Sequence, residues 1–382
     1  MLEKVSVQLR PLVTRLNLPT VIKTTVLPGD WTESLMIATQ VGEIFYLREE
    51  VIGTFLDIRQ RILQLGSSGS GYDERGLLGM AFHPDFYYNG LFYLHYSVAG
   101  SQGPGALPRF RPNPCDPETL NLHWTNRETQ YDHIDTVEEW ILQPTGQAIK
   151  LRTLLNLRRP FMNHNGVNSL NFSPETGRLV LTTGDGGSAY DPFNLSQNMM
   201  EIAGKIIEID VNQDTLVDEP PVATRFNELP HSLQEMLTVI AKGVRNIPGI
   251  SYQRMFDRYI KYVGNVGQDL VEAIFSFDYY RPIPVTEITQ AAEDNSELDL
   301  QGLINLGWRG WEGDLPTTII SNCANDASIN EKIIAFYEDA ISTAVKRIPP
   351  LTCYYHQDPR PNKFAGTALT GVQAYMGNHI PS

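Results

Sequence analysis

Cysteine is scarce in this chain of 382 residues: there are three, Cys115, Cys323 and Cys353, and no CxxC pair. An odd count excludes a full disulfide framework. It leaves one Cys323–Cys353 bridge or free thiols, and free thiols are the expectation in a reducing compartment. Neither Cys323 nor Cys353 has a companion histidine at metal-ligand spacing, so no zinc site is assigned. Clustered cations are missing as well. The net charge is −14 and no Lys/Arg-rich run stands out, which disfavours sequence-specific nucleic-acid binding, since such binding rests on grouped positive charge. The acidity reads as solubility. No apolar run approaches the roughly 20 residues needed to cross a bilayer, so no membrane role is expected. The start, "MLEKVSVQLRPLVTRLNLP", lacks an apolar segment followed by a small-residue cleavage site. It does not read as a signal peptide. The expectation is an intracellular or virion-associated protein ahead of a secreted one.

Turn formers and strand formers are abundant. Thirty glycines and 25 prolines are spread along a chain that is 42% hydrophobic and 10% aromatic. That composition favours many short elements and an all-β architecture. A glycine followed by an alternating strand recurs in "GEIFYL" (42–47), "GLFYLHY" (90–96), "GRLVLTT" (177–183) and "GKIIEID" (204–210). Each is expected to pair with a neighbour across a tight turn. Repeated short strands fit a propeller, a sandwich or a solenoid, and the irregular spacing does not choose among them. Long polar insertions span 100–135, 211–234 and 279–302, and helical spacing marks 326–348. No clean linker divides the chain. One domain over 31–382 is expected, after an N-terminal extension over 1–30.

The stretch "NHNGVNSLNFSPETGRLVLTTGDGG" (163–187) carries the first candidate site. Alternation places Leu170 and Phe172 on one face of a strand and Leu179 and Leu181 on one face of the next. "SPETG" between them has turn chemistry, so an antiparallel hairpin centred near Glu175 is expected. His164 precedes that centre about as far as Asp185 follows it. The two should meet at one end of the hairpin. A carboxylate beside an imidazole fixes its tautomer and stabilises its protonated form, which makes a general base. Gly184, Gly186 and Gly187 are expected to leave room for a ligand. The plain alternative is that these are ordinary loop residues sharing a rim.

Further motifs occur in order: "DERGLLGMAFHPDFYYNGLFYLHYS" (73–97), "NHNG", "TTGDGG", "DPFN" and "NMMEIAGKIIEIDVN" within 163–212, "KGVRN" (242–246), "VGNVGQDLVEAI" (263–274) and "NLGWRGWEG" (305–313). Together they resemble the glucose/sorbosone dehydrogenase family. That family includes soluble aldose dehydrogenases dependent on pyrroloquinoline quinone (PQQ) and the propeller of hedgehog-interacting proteins. The likeness runs from about Thr32 to the C-terminus. It implies a six-bladed β-propeller with an axial site, long inserted loops and a few short helices. It further implies PQQ-dependent oxidation of an aldose-type hydroxyl, with His164 as base, Asp185 orienting it, and Arg245 and Asn246 holding the quinone. His83 in "FHPDF" is expected to close a turn. Asp191 and Asn194 are expected to shape the loop beside the site.

Departures from the family pattern motivate a second hypothesis. Glu74 stands where the dehydrogenases carry a glutamine contact to PQQ, and an ionised carboxylate repels a tricarboxylate. The glutamate expected to bind calcium aligns with Ala273, with Glu272 adjacent. Calcium takes six to eight oxygen ligands, so losing a carboxylate weakens the site. Leu306 replaces a tyrosine whose backbone carbonyl is the expected ligand. Glu272 and Leu306 are therefore the metal candidates. The sequence given stops where the family's ring-closing portion would follow, so the ring is expected to be incomplete, to close differently or to be completed by another chain. An open ring exposes strand edges that pair with neighbours. The alternative is thus a catalytically reduced propeller used as a binding or self-assembling structural protein, for example in a large-virus particle, with a homo-oligomer formed through those edges.

Overall fold

A computed structural model describes residues 8, 10–66, 72–100, 122–166, 169–217, 219–278, 280–318, 347–357, 363 and 365–374. Four largely antiparallel sheets follow one another along the chain. Sheet 1 is β1 (Pro19–Val26), β2 (Glu33–Thr39), β3 (Glu43–Arg48) and β4 (Val51–Asp57). Sheet 2 is β5 (Leu77–Phe82), β6 (Leu91–Ala99), β7 (His133–Leu142) and β8 (Ala148–Arg159), edged by the short parallel β12 (Val222–Ala223). Sheet 3 is β9 (Leu170–Phe172), β10 (Leu179–Thr182), β11 (Ile206–Ile209), β13 (Leu237–Lys242) and β17 (Ile283–Pro284), with β18 (Ile304–Asn305) parallel to β13. Sheet 4 is β14 (Ile250–Met255), β15 (Arg258–Asn265), β16 (Val271–Phe277) and β21 (Thr352–Tyr355). The ribbon β19 (Trp311–Glu312) and β20 (Leu315–Pro316) stands apart.

Apolar side chains sit on both faces of the inner sheets, so neighbouring sheets pack face against face. Val21, Met36 and Ile44 of sheet 1 share a cluster with Met80, Phe92 and Trp140 of sheet 2. Tyr93 and Leu155 of sheet 2 share another with Leu179, Leu181 and Val239 of sheet 3. Val180, between those two leucines, points the other way and joins Val263 and Phe275 of sheet 4. This is the period-2 alternation of a strand buried on both sides. β5 packs against both β1 and β9, and a cavity of ≈ 380 Å³ lies among β1, β9 and the start of β14, lined in part by Lys23, Asn171 and Ile250.

The architecture is therefore an all-β propeller with few helices. It differs from the six-bladed expectation. Four multi-stranded sheets form among the described residues, and no apolar cluster there joins sheet 4 back to sheet 1. The first strand lies within the stretch expected as an N-terminal extension, because Val21 is buried and β1 pairs along its length with β2. Two of the expected insertions are structured. In 211–234, Phe226, Leu229 and Leu233 plug the sheet 2–3 core. In 279–302, the helix α1 (Val285–Glu293) buries Val285 and Ile288 in the same cluster. Polar composition hid three or four well-placed apolar residues in each. Nearly all of the helix expected over 326–348, most of the 100–135 insertion and Cys323 fall on residues outside those described, while Cys353 is an exposed free thiol on β21.

Candidate active site at the strand ends of sheets 2, 3 and 4

The hairpin expected within 163–187 is present: Leu170 lies opposite Leu181 and Phe172 opposite Leu179. Its open end brings His164 Nδ1 to 2.7 Å from Asp185 Oδ1. The same Asp185 oxygen accepts the Gly187 N–H at 2.8 Å, and Oδ2 accepts Trp308 Nε1–H at 2.7 Å. Asp185 is 1% exposed and His164 4%. Gly187 N–H and Trp308 Nε1–H can only donate, so Asp185 acts as an acceptor here, and the short contact places the His164 proton on Nδ1. Nε2 keeps its lone pair, and none of the hydrogen bonds among the described residues uses it.

His164 has a left-handed backbone, φ 60°, a conformation that costs a non-glycine residue of order 1 kcal/mol or more. Charged side chains hold it from both ends. Glu74 Oε2 accepts its N–H at 2.6 Å, and Arg159 Nη2 donates to its carbonyl at 2.6 Å. Tyr72 donates to the other Glu74 oxygen. The glycines beside Asp185 do not leave space for a ligand, contrary to expectation. A Cβ on Gly184 would lie 1.6 Å from the His164 carbonyl oxygen, and one on Gly187 would lie 2.4 Å from Asn163 Oδ1. Their room is filled by the chain's own loop, which is why the hairpin ends can approach so closely.

The third strand end contributes Arg245 and Asn246. The Arg245 carbonyl accepts the Asp185 N–H at 2.9 Å. Its guanidinium lies over the Trp308 ring, 5.4 Å from the centroid, and Nη1 donates to the Val266 carbonyl. Arg245 Nε is buried with no hydrogen-bond partner, which marks an N–H aimed at something not supplied by the described residues. Asn246 Oδ1 accepts the Gly166 N–H at 3.1 Å, so its side chain positions the His164 loop. Tyr190 also stacks on Trp308, its ring 6.4 Å away at 14°. Asp191 receives N–H bonds from Leu195 and Ser196, and burial together with the charge of Asp185 raises its pKa to about 6. His83 Nδ1 accepts the Asp85 N–H, the turn-closing contact expected of it.

The metal candidates behave differently. Glu272 is fully buried, with Oε1 2.7 Å from His356 Nε2 and Oε2 accepting N–H bonds from Leu369 and Gly267. Leu306 gives its N–H to the Lys242 carbonyl of sheet 3, and its side chain is in the sheet 3–4 core. The two share none of these hydrogen bonds. Among the described residues no group of three or more His, Cys, Asp or Glu side chains is arranged to hold a metal. Both Glu272 oxygens are already committed to protein donors, so the donor set there does not fit calcium, and no step is derived through it.

Trp308 and Arg159 were not singled out by sequence reading. Trp308 sits in a quoted motif, and the signal was available: an indole in a core needs a partner for its N–H. Arg159 closes an alternating strand and has no sequence mark beyond its charge.

The glucose/sorbosone dehydrogenase family model matches residues 29–280, well over half of the chain. HIPL1 protein of Arabidopsis thaliana is 32% identical over 151 residues, covering 36% of this chain and 21% of that protein. Human hedgehog-interacting protein is 27% identical over 232 residues, covering 58% of this chain and 28% of that protein. The chain thus spans well under half the length of these relatives. Among solved structures, the PQQ-bound form of the aldose sugar dehydrogenase of Streptomyces coelicolor aligns at 17% identity with a TM-score of 0.49, covering 81% of this chain and 68% of that one. On the extent of the family match, the chain belongs to the glucose/sorbosone dehydrogenase family.

Proposed function

We propose that this chain oxidises a sugar-like hydroxyl with a bound quinone of the PQQ type, His164 serving as general base. The observation that supports the reading most is the pairing of His164 Nδ1 with a buried carboxylate beside an arginine whose Nε–H is unspent. His164 Nε2 takes the proton of the substrate hydroxyl. Asp185 stabilises the imidazolium that results, and Trp308 and the Gly187 N–H keep Asp185 from turning away. Arg245 would hold an anionic oxygen of the cofactor through Nε–H, a preorganised donor in a water-poor site. When bound, a quinone of this kind accepts the hydride that leaves the carbon; the protein supplies placement and field.

The test is reconstitution with PQQ followed by absorbance spectroscopy and dye reduction over a panel of aldoses. Bound quinone with turnover that is lost in Arg245→Met is the expected result. A chain that retains no quinone and reduces no dye at any aldose ends the enzymatic reading. A second reading has one observation of its own: the Glu74 carboxylate sits on the His164 N–H, where it repels a tricarboxylate. In that reading the propeller serves as a binding or self-assembling surface. Strand-edge oligomers seen by electron microscopy, together with no quinone uptake, are its expected signature.

A further inference from the structure

We propose that Arg159 is the positioning residue of the His164–Asp185 pair, a single guanidinium clamping both ends of the hairpin. This rests on the reading of that pair as the reacting site. Arg159 ends β8 and is 1% exposed. Nη2 donates to the His164 carbonyl at 2.6 Å, and both Nη atoms lie 3.3 Å from the Gly184 carbonyl. Nε donates to Asn165 Oδ1 at 3.1 Å and lies 3.3 Å from Asp135 Oδ2. The residue before β9 that carries the imidazole and the residue after β10 that precedes the carboxylate are therefore fastened to the same rigid fork. Arg159 sits on a neighbouring sheet, so the clamp also fixes sheet 3 relative to sheet 2 at the site.

The fork is itself anchored from behind. Asp135 lies 3.2 Å from His133 Nε2, His133 Nδ1 lies 2.8 Å from Asp132, and Asp132 pairs with Arg75, which pairs with Asp73. His95 Nε2 lies 3.7 Å from the other side of Asp135. Every member of this chain is buried or nearly so. Acidic and basic side chains alternate along it, and when His133 is protonated each ion has an opposite neighbour, the condition under which buried ions are tolerated. A clamp that only bridged sheets would have no need to spend its donors on the two carbonyls flanking the pair. Spending them there meets a specific need: His164 is in a left-handed backbone conformation, and among the described residues its carbonyl takes its hydrogen bond from Arg159, the pairing a buried acceptor requires.

The experiment uses the chain labelled with 15N-histidine, without cofactor, and reads the His164 ring nitrogens and the Nδ1–H proton by NMR. The unsubstituted chain is expected to show one tautomer with a slowly exchanging Nδ1–H. Arg159→Lys keeps the charge but cannot fork to two carbonyls. It is expected to mix the tautomers and to speed Nδ1–H exchange by about tenfold or more, the size set by one charged hydrogen bond, with the β-sheet circular dichroism retained. Arg152→Met, on the same strand but paired with Glu139, is expected to leave the His164 signals unchanged. A folded Arg159→Lys chain with unchanged His164 signals overturns the clamp. Should that variant not fold, hydrogen exchange on the unsubstituted chain decides. One clamp requires segments 160–166 and 183–188 to open together, with protection agreeing within about threefold, and a larger difference overturns it. Absence of quinone turnover would sink the proposed reaction and leave these measurements standing, so the two failures are distinguishable.

Discussion

Among the described residues two carboxylate–imidazole pairs stand at the same 2.7 Å separation, Asp185 with His164 and Glu272 with His356, both with a buried carboxylate. Their surroundings make them different devices. Asp185 takes Nδ1, and Nε2 of His164 is left without a partner among the described residues. Glu272 takes Nε2 of His356 and spends its other oxygen on the Leu369 and Gly267 N–H groups. The second pair thereby ties β16, the loop before it and the segment around Leu369 together. The first pair is tied by others, from Glu74, Arg159 and Trp308, and the Trp308 ring also carries the Arg245 guanidinium with its unspent N–H. A carboxylate–imidazole contact alone does not mark a reacting site. What marks it is that the pair is held by its neighbours and keeps one ring nitrogen unspent.

The sharpest way to break this comparison is to delete each histidine. His164→Ala is expected to cut kcat/KM of the PQQ-reconstituted chain by about 10²–10⁴-fold, the usual contribution of a positioned base, and to cost about 2 kcal/mol in urea unfolding, because the buried Asp185 loses a hydrogen-bond partner. His356→Ala is expected to leave kcat/KM within about threefold and to cost about 2 kcal/mol in urea unfolding, because the buried Glu272 loses a charge-assisted partner. Initial rates and equilibrium unfolding on both variants check the pair. An activity loss at residue 356 as large as that at 164 would give both pairs the same role.

Trp308→Phe probes the first pair more gently. Phenylalanine keeps a ring beside Arg245 and Tyr190 but removes the N–H that Asp185 Oδ2 accepts. Losing one hydrogen bond to a charged group is worth about 1.5–3 kcal/mol, part of it felt as stability and part as base strength. A drop of about tenfold in kcat/KM is expected, with the pH profile moved because Asp185 is less firmly aimed. Steady-state rates from pH 5 to 9 measure it. An unchanged profile would make the indole a packing residue only.

The hairpin of the site was legible in the sequence because it is local. Leu170, Phe172, Leu179 and Leu181 alternate around a five-residue turn, and that alone brings His164 to Asp185. Arg245 and Asn246 came from family likeness, and the structure places both within the same group of contacts. The number of blades was not legible, since periodicity was irregular and closure is a long-range property. The roles of Gly184 and Gly187 were misread, because a sequence shows missing side chains without showing that a neighbouring backbone fills the gap. Arg159 lies only five positions before His164 and 25 before Gly184, but on another sheet, and nothing in its strand marks where its guanidinium ends; Trp308 reaches Asp185 across 123 positions. No local pattern carries that. Glu272 was read as a ligand candidate from its place near a motif, while its partners His356 and Leu369 lie 84 and 97 positions away.

The smallest expected effect concerns what stands behind each pair. Behind Arg159 lies His133, between Asp132 and Asp135. Burial works against its charge, but those two carboxylates outweigh it and raise its pKa. Burial likewise opposes ionisation of Asp135, and the charges of His133 and His95 hold it well below the usual carboxylate range. A histidine raised in the folded state stabilises fully below its unfolded value of about 6.5, and that contribution is lost as pH climbs through the raised native value. Two lysines act with the opposite sign. Lys205 is lowered to about 7 by burial and by Lys242, and Lys23 to about 8 by burial, so the folded state gains relative stability as pH rises from those values toward the ordinary lysine range. The raw melting curve against pH therefore mixes both signs. The difference between the unsubstituted chain and His133→Asn removes the lysines, which are common to both. That difference is expected to be largest near pH 6 and to shrink steadily toward pH 9. The Nδ1–H signal of His164 should loosen over the same range if Asp135 anchors Arg159 through His133. A difference curve that is flat, or that grows with pH, would disconnect the His133 network from the site and leave the two histidine pairs alike in having nothing behind them.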